Sequence, residues 1–326
     1  TGTNGKSTLT RFLTQALQGA GKRAVVAGNI GQPLSDVVLD FENEASSYAV
    51  CEISSFQAEL SQDLQLDALL WTNFAEDHLD RYENMTDYFM AKAKLFKCLK
   101  NDAVCVIGPQ VVHWFDLFRT PFDRAVIAFE DTSLTSRLSP DCVLGRLPYS
   151  EDFSVAAEYW WLTGEDEEDL LAAAEEFTLA PHRLDVVAEK DGVTYWNDSK
   201  STNFHSALAA LKAVSPPIVW IGGGRIKGGD LEAFASEVSS LIQAAVLYGE
   251  VGARMEQALA GRVETVQVVP KFEEAVRAAC ELAAESRPCQ LLLSPGFSSF
   301  DQFDSYEARG KSFNSLVFGF VEGRAG

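Results

Sequence analysis

The sequence predicts an α/β protein of two doubly wound domains, and three observations carry that expectation. Short apolar runs alternate with helical stretches along the chain, the pattern of a mostly parallel sheet covered on both faces. The chain opens TGTNGKST, the closing part of a phosphate-cradling loop that runs into a helix. Beyond TLAPHRLDVV the alternation starts afresh, with a glycine-rich turn, IGGGRIKGGD, at the end of one of its strands.

The elements follow in order. Leu9, Phe12, Leu13, Ala16 and Leu17 recur at helical spacing, GAGK closes that helix, and AVVAG follows as a strand. YAVCEI, ALLWTNF, AVCVIG and AVIAF read as further strands, with DYFMAKAKLFKCL as a helix among them. The helical run EDEEDLLAAAEEF precedes the seam, its carboxylates suited to a solvated helix start. After it, VTYWNDS, PIVWIGGG, AAVLYG, TVQVV and QLLLSPG read as strands. SALAALKAV, LEAFASEVSSLI, FEEAVRAACELAAE and the tail from Tyr306 read as helices. The expected domains are residues 1–181 and 182–326.

Composition bounds the function. With 326 residues, 47% of them hydrophobic, the chain can fill two cores. A net charge of −20 with no basic stripe argues against nucleic acid as a partner. No stretch is long and apolar enough for a membrane span and no secretory segment is visible, so a cytoplasmic protein without a membrane partner is expected. Cys51, Cys98, Cys105, Cys142, Cys280 and Cys289 lack paired spacing, and several lie in apolar runs. They read as reduced core residues.

Three segments carry chemistry. In the opening loop, glycines let the backbone wrap phosphate, and the following helix offers free N–H groups to anionic oxygens. Lys6 would reach the terminal phosphates, and Ser7 or Thr8 would offer Mg²⁺ a hydroxyl. The loop's first glycine would stand one position before Thr1. In CEISSFQ, Glu52 ends a strand on the edge where such sheets bind ligands. It is either a rim charge or, beside a phosphate loop, an Mg²⁺ ligand. In WTNFAEDHLDRY, a strand leads into Glu76, Asp77, His78, Asp80 and Arg81. His78 reads as a capping residue or a functional one, and Lys92 and Lys94 follow on the next helix.

In this order, TGTNGKST, CEISSFQ, EDHLDRY and MAKAKLF resemble the central domain of the Mur ligases, ATP-dependent amide-forming enzymes of peptidoglycan precursor synthesis. The resemblance implies a central P-loop ATPase domain and a Rossmann-like C-terminal, amino-acid-binding domain. It implies that Gly2, Thr3, Asn4, Gly5, Lys6, Ser7 and Thr8 hold nucleotide. Lys6, Glu52, His78 and Lys92 become the catalytic set, with Ser7, Glu52, His78 and Lys92 at two Mg²⁺ sites and Lys92 carbamylated. APHR, WNDSKSTN, GGGRIKGGD and SPGFSSFDQF are most similar to the branch that adds D-glutamate to UDP-N-acetylmuramoyl-L-alanine. By that similarity His182, Arg183, Asp198 and Lys200 touch nucleotide. Thr202, Lys227, Ser299 and Tyr306 hold the D-glutamate carboxylates, and Asn29 and Ser54 lie along the muramoyl substrate. The implied protein is a monomer working on small molecules through an acyl phosphate. The implied front, a uridine-diphosphate-binding domain and the strand feeding the loop, would lie upstream of Thr1.

One segment departs from the family. Where its members carry G-x-H-N-x-x-N, whose asparagines recognise adenine, this chain reads RLPYSEDFSVAAEYW, with Asp152 where the second Asn would fall. PQVVHWFDLFRTPFD before it gives no close match either. Either the base is held differently or nucleotide binding is weak. The alternative to a ligase is a Mur-like protein that binds nucleotide or precursor with little or no ligation.

Overall fold

The computed structural model describes residues 1–40, 47–118, 125–129 and 132–323. Of the stretch PQVVHWFDLFRTPFD, residues 119–123 lie outside them. The chain divides into two compact units. Unit 1 comprises Thr1–Ala75 and Arg81–Leu179, and unit 2 comprises Glu76–Asp80 and Ala180–Gly326.

In unit 1 the loop runs into α1 (Lys6–Gly19), followed by β1 (Arg23–Gly28), α2 (Leu34–Asp40), β2 (Ser47–Glu52), α3 (Ser55–Leu60) and β3 (Leu66–Trp71). Then come α4 (Met85–Ala93), a 3₁₀ turn over Lys94–Cys98, β4 (Leu99–Ile107), α5 (Pro109–Leu117), β5 (Val126–Ile127), α6 (Thr132–Thr135), α7 (Tyr149–Thr163) and α8 (Glu167–Glu176). β1 pairs with β2, and β3, β4 and β5 pair in that order, all parallel. The loop is tied to the end of β3: Thr72 N–H donates to Thr1 O (3.0 Å) and Thr3 N–H to Asn73 O (3.1 Å). The Thr1 hydroxyl reaches Ile53 O, just past β2, at 2.7 Å.

Because side chains alternate along a strand, each sheet face builds its own core. Leu9, Phe12, Leu13, Ala16 and Leu17 of α1 join Phe153 and Trp160 of α7 and Leu170 of α8, packed with Val106 of β4. Leu69 and Trp71 of β3 and Cys105 and Ile107 of β4 face the opposite cluster, with Phe89 of α4 and Phe115 of α5.

Unit 2 contains β6 (Asp185–Lys190), β7 (Val193–Asn197), α9 (Phe204–Ala213), β8 (Ile218–Gly223), α10 (Leu231–Ser239), β9 (Ala244–Tyr248) and α11 (Gly252–Leu259). It continues with β10 (Thr265–Val269), α12 (Phe272–Glu285), β11 (Cys289–Leu293) and α13 (Tyr306–Val321). The sheet order is β10-β9-β8-β11-β7-β6. The ladders are parallel except β6–β7, so an antiparallel edge strand closes the sheet. Val219, Ile221, Val246 and Tyr248 face α12 and α13, whereas Ile218, Trp220, Ala245 and Leu247 face α9, α10 and α11. Helices on both faces are the doubly wound arrangement expected from the sequence. The six cysteines are free, five buried and Cys51 half-buried.

Candidate active site

Unit 1 gathers the phosphate loop and its supports. Gly2 (φ +146°) and Gly5 (φ +81°) hold conformations that suit glycine. A Cβ on Gly2 would lie 1.9 Å from Thr72 Oγ1, so only a bare α-carbon passes there. Thr72 Oγ1 donates to Asn4 O (2.6 Å), and Asn4 N–H donates to Asn73 Oδ1 (2.8 Å). The Thr3 hydroxyl accepts from Ala75 N–H at 3.0 Å. Two ammonium groups converge on one carbonyl. Lys6 Nζ donates to Gly2 O (3.0 Å) and Thr3 O (2.8 Å), and the buried Lys92 donates to Gly2 O (2.8 Å). Thr72 and Asn73 are functional supports that the sequence reading passed over. Their signal was the polar pair at the end of the strand ALLWTNF.

Glu52 is 3% exposed at the end of β2, and Asn29 Nδ2 donates to its Oε1 at 2.8 Å. This bond aims the carboxylate. Ser54 serves as the N-cap of α3: its hydroxyl accepts from Gln57 N–H and its own N–H donates to Gln57 Oε1, closing a capping box. Ser7 and Thr8 lie in the first turn of α1.

Unit 2 gathers a second group around the loop after β7. Asp198 is buried, accepting from Leu184 N–H (3.2 Å) and Ser294 Oγ (2.7 Å). Burial pushes its carboxyl up to about 7 against the opposing pull of Ser294 and Arg183. His182, held at φ +65°, lies 3.0 Å from Asn197 Nδ2 through its Nδ1, and burial lowers its pKa. Lys200 Nζ stands 4.3 Å above the Tyr306 ring. Arg183 is half-buried beside this group, and Thr202 is half-buried ahead of α9. Ser299 is buried, its carbonyl accepting from Phe303 N–H at 2.8 Å.

The segment 76–80 meets the glycine-rich turn inside unit 2. Lys227 Nζ lies 3.4 Å from Asp77 Oδ1, and Asn203 Nδ2 donates to Asp77 Oδ2 at 3.0 Å. His78 N–H donates to Asp77 Oδ1 (2.8 Å), with the backbone at φ +57°. Burial works to raise the Asp77 carboxyl, but Lys227, His78 and Asn203 outweigh it, and the net shift is downward. A Cβ on Gly228 would lie 2.6 Å from Leu79 Cβ, and one on Gly229 2.9 Å from Glu76 Oε2, so the turn packs bare on this segment. Asp77 thus receives three of the chain's polar groups, a role the sequence reading did not assign it.

Comparison with known proteins identifies the class. Residues 1–129 match the Mur ligase middle domain, and residues 182–295 the Mur ligase glutamate ligase domain. The chain belongs to the Mur ligase family of ATP-dependent ligases. It is 34% identical to the UDP-N-acetylmuramoylalanine–D-glutamate ligase of Gloeobacter violaceus, over 97% of this chain and 74% of that protein. It is 36% identical to the enzyme of the same name from Hahella chejuensis, with the same coverage. Among solved structures, MurF from Acinetobacter baumannii superposes with a TM-score of 0.71 at 15% identity, over 98% of this chain and 75% of that one. Mycobacterium tuberculosis folylpolyglutamate synthase, complexed with ADP and AMPPCP, gives 0.68 at 14% identity, over 97% and 89%. At these identities the two structures establish the shared fold. Among the described residues no helix is long and apolar enough to cross a membrane.

Proposed function

We propose that this chain carries the nucleotide- and amino-acid-binding parts of a ligase that joins D-glutamate to UDP-N-acetylmuramoyl-L-alanine. The observation that carries the reading is likeness to ligases of that name across 97% of the chain, with the phosphate loop and the loop after β7 both built. Residues 1–181 would serve ATP and residues 182–326 the amino acid.

In the proposed reaction the alanyl carboxylate attacks the γ-phosphorus of ATP, the bond to the β-phosphate oxygen breaks, and ADP departs. The D-glutamate amine then attacks the acyl carbon. The tetrahedral intermediate expels phosphate with the electron pair of the C–O bond, and the amine gives up its proton. Lys6 and the loop N–H groups bind the phosphates, and the Lys6 ammonium would exchange its carbonyl partners for phosphate oxygens. Lys227, Thr202, Ser299 and Tyr306 would orient the amino acid, and Asn29 and Ser54 the acceptor. His182, Arg183, Asp198 and Lys200 would line the nucleotide.

Mg²⁺, when bound, neutralises phosphate charge. The donors suit it: Ser7 offers a hydroxyl and Glu52 a carboxylate that Asn29 already orients. Among the described residues no cluster of three His, Cys, Asp or Glu side chains forms a metal cage. His78 and a carbamylated Lys92 are the proposed residues of the second Mg²⁺ site.

The test is phosphate release from ATP by the chain, and by any longer product of its gene, given the acceptor and a panel of amino acids. Release that requires both the acceptor and D-glutamate supports the reading. Release with a different amino acid reassigns the substrate. One observation favours the non-ligating alternative: a carboxylate, Asp152, lies against Gly5 of the loop. ADP binding without release under any pairing would select it.

A further inference from the structure

The departure at Asp152 has a definite place in unit 1. Asp152 lies in the first turn of α7 and is 4% exposed. A Cβ on Gly5 would sit 1.9 Å from its Oδ1 and 2.8 Å from its Oδ2. The carboxylate therefore lies against the residue that caps α1, its Oδ1 foremost. That helix has no side-chain cap and no acidic residue in its own first turn. Its N-terminus is where an anion is favoured, and α7 supplies one.

A second observation points to a ligand at the same helix ends. Thr8 Oγ1, on the first turn of α1, and Ser150 Oγ, on the first turn of α7, are both buried, 3% and 1% exposed as residues. Among the described residues neither oxygen finds a hydrogen-bond partner. Buried orphan hydroxyls are costly and call for an explanation, commonly a group that completes their bonding when it binds.

We infer that Asp152 sets the nucleotide affinity of the phosphate loop: its carboxylate competes with the nucleotide's phosphates for the N-terminus of α1. This rests on the nucleotide reading above. Two anions near one helix end repel, and burial leaves that repulsion little screened. A neutral side chain of the same shape would keep the packing on Gly5 and remove the competition. The geometry thus favours weak phosphate binding over a rearranged base contact as the consequence of this segment's altered sequence.

The experiment is calorimetric titration of ADP and of inorganic tripolyphosphate, which has no base, with and without Mg²⁺. It compares the wild-type chain with Asp152→Asn, with Asp152→Ser as a second neutral variant should the first fail to fold. Unliganded melting temperatures check that each variant is folded. The expected result is about tenfold tighter binding of both ligands by the neutral variants, in equal ratio. Unchanged or weaker tripolyphosphate binding overturns the inference. So does tightening confined to ADP, which would place the carboxylate at the base, or a loss seen only with Mg²⁺, which would make it a metal ligand. Failure of all the proteins to bind either ligand defeats the nucleotide reading itself. Binding that ignores the charge defeats only this inference.

Discussion

Lys92 is 1% exposed, 5.0 Å from the Tyr88 ring, and bonded to the same carbonyl as Lys6. A buried amine persists only where its surroundings compensate for lost hydration, and Gly2 O is part of that compensation. The proposed role in turnover predicts that Lys92→Ala lowers kcat about 10²–10³-fold while the ADP Kd stays within about threefold, measured by steady-state kinetics and titration. Equal losses in both would make Lys92 a prop of the loop. Asp198 carries a second prediction at this scale. Burial holds its folded pKa at about 7, above the ordinary aspartate value of about 4, so between those values the folded state holds a proton that the unfolded chain releases. Stability from this group is therefore full below about pH 4, falls by about 1.4 kcal/mol per unit as pH rises, and levels off above 7. Asp198→Asn should flatten the melting temperature between pH 4 and 7. Parallel curves for the two proteins would assign the slope to other groups.

At the scale of elements, α13 reaches back into the loops that carry the candidate residues. Arg309 is fully buried. Its Nε donates to Ser199 Oγ (2.9 Å), its Nη2 to Ser199 O (2.8 Å), and its Nη1 to Phe297 O (3.1 Å) and Tyr248 OH (3.2 Å). One guanidinium thus pins the loop after β7 to the loop after β11 and to the end of β9. A lysine cannot reproduce that fork. Arg309→Lys should cost about 2–3 kcal/mol in urea unfolding and raise the D-glutamate KM more than it lowers kcat. A stability loss with unchanged KM would confine Arg309 to the core. Nothing in the sequence announced this residue, because an arginine in an amphipathic tail reads as solvated. β6 was equally silent: DVVAEK is a half-exposed edge strand whose antiparallel pairing leaves no continuous apolar run. The parallel strands were legible because burial on both faces demands such runs.

At the scale of the whole molecule, what could be read depended on how far apart in the chain the partners lie. The phosphate loop is contiguous, so residues 2–8 announce themselves. Asp77 meets Lys227 across 150 positions, and no local pattern encodes that meeting. Charge, by contrast, is additive and fully legible: 47 acidic against 27 basic residues give −20. The proposed ligands, ATP, D-glutamate and the muramoyl nucleotide, are all anions. Near the loop, Lys6 and the N–H groups at the N-terminus of α1 attract them at short range. At about 10 mM salt the Debye length is about 30 Å, and an approaching nucleotide feels the whole negative surface. At about 150 mM it is about 8 Å, and the local cations dominate. The association rate of ADP, followed by stopped flow, should therefore rise with salt between these limits, opposite to a protein that steers its anionic ligand electrostatically. A rate that falls with salt would mean that the cations around the loop govern the field beyond its surface and that the net charge has no kinetic role.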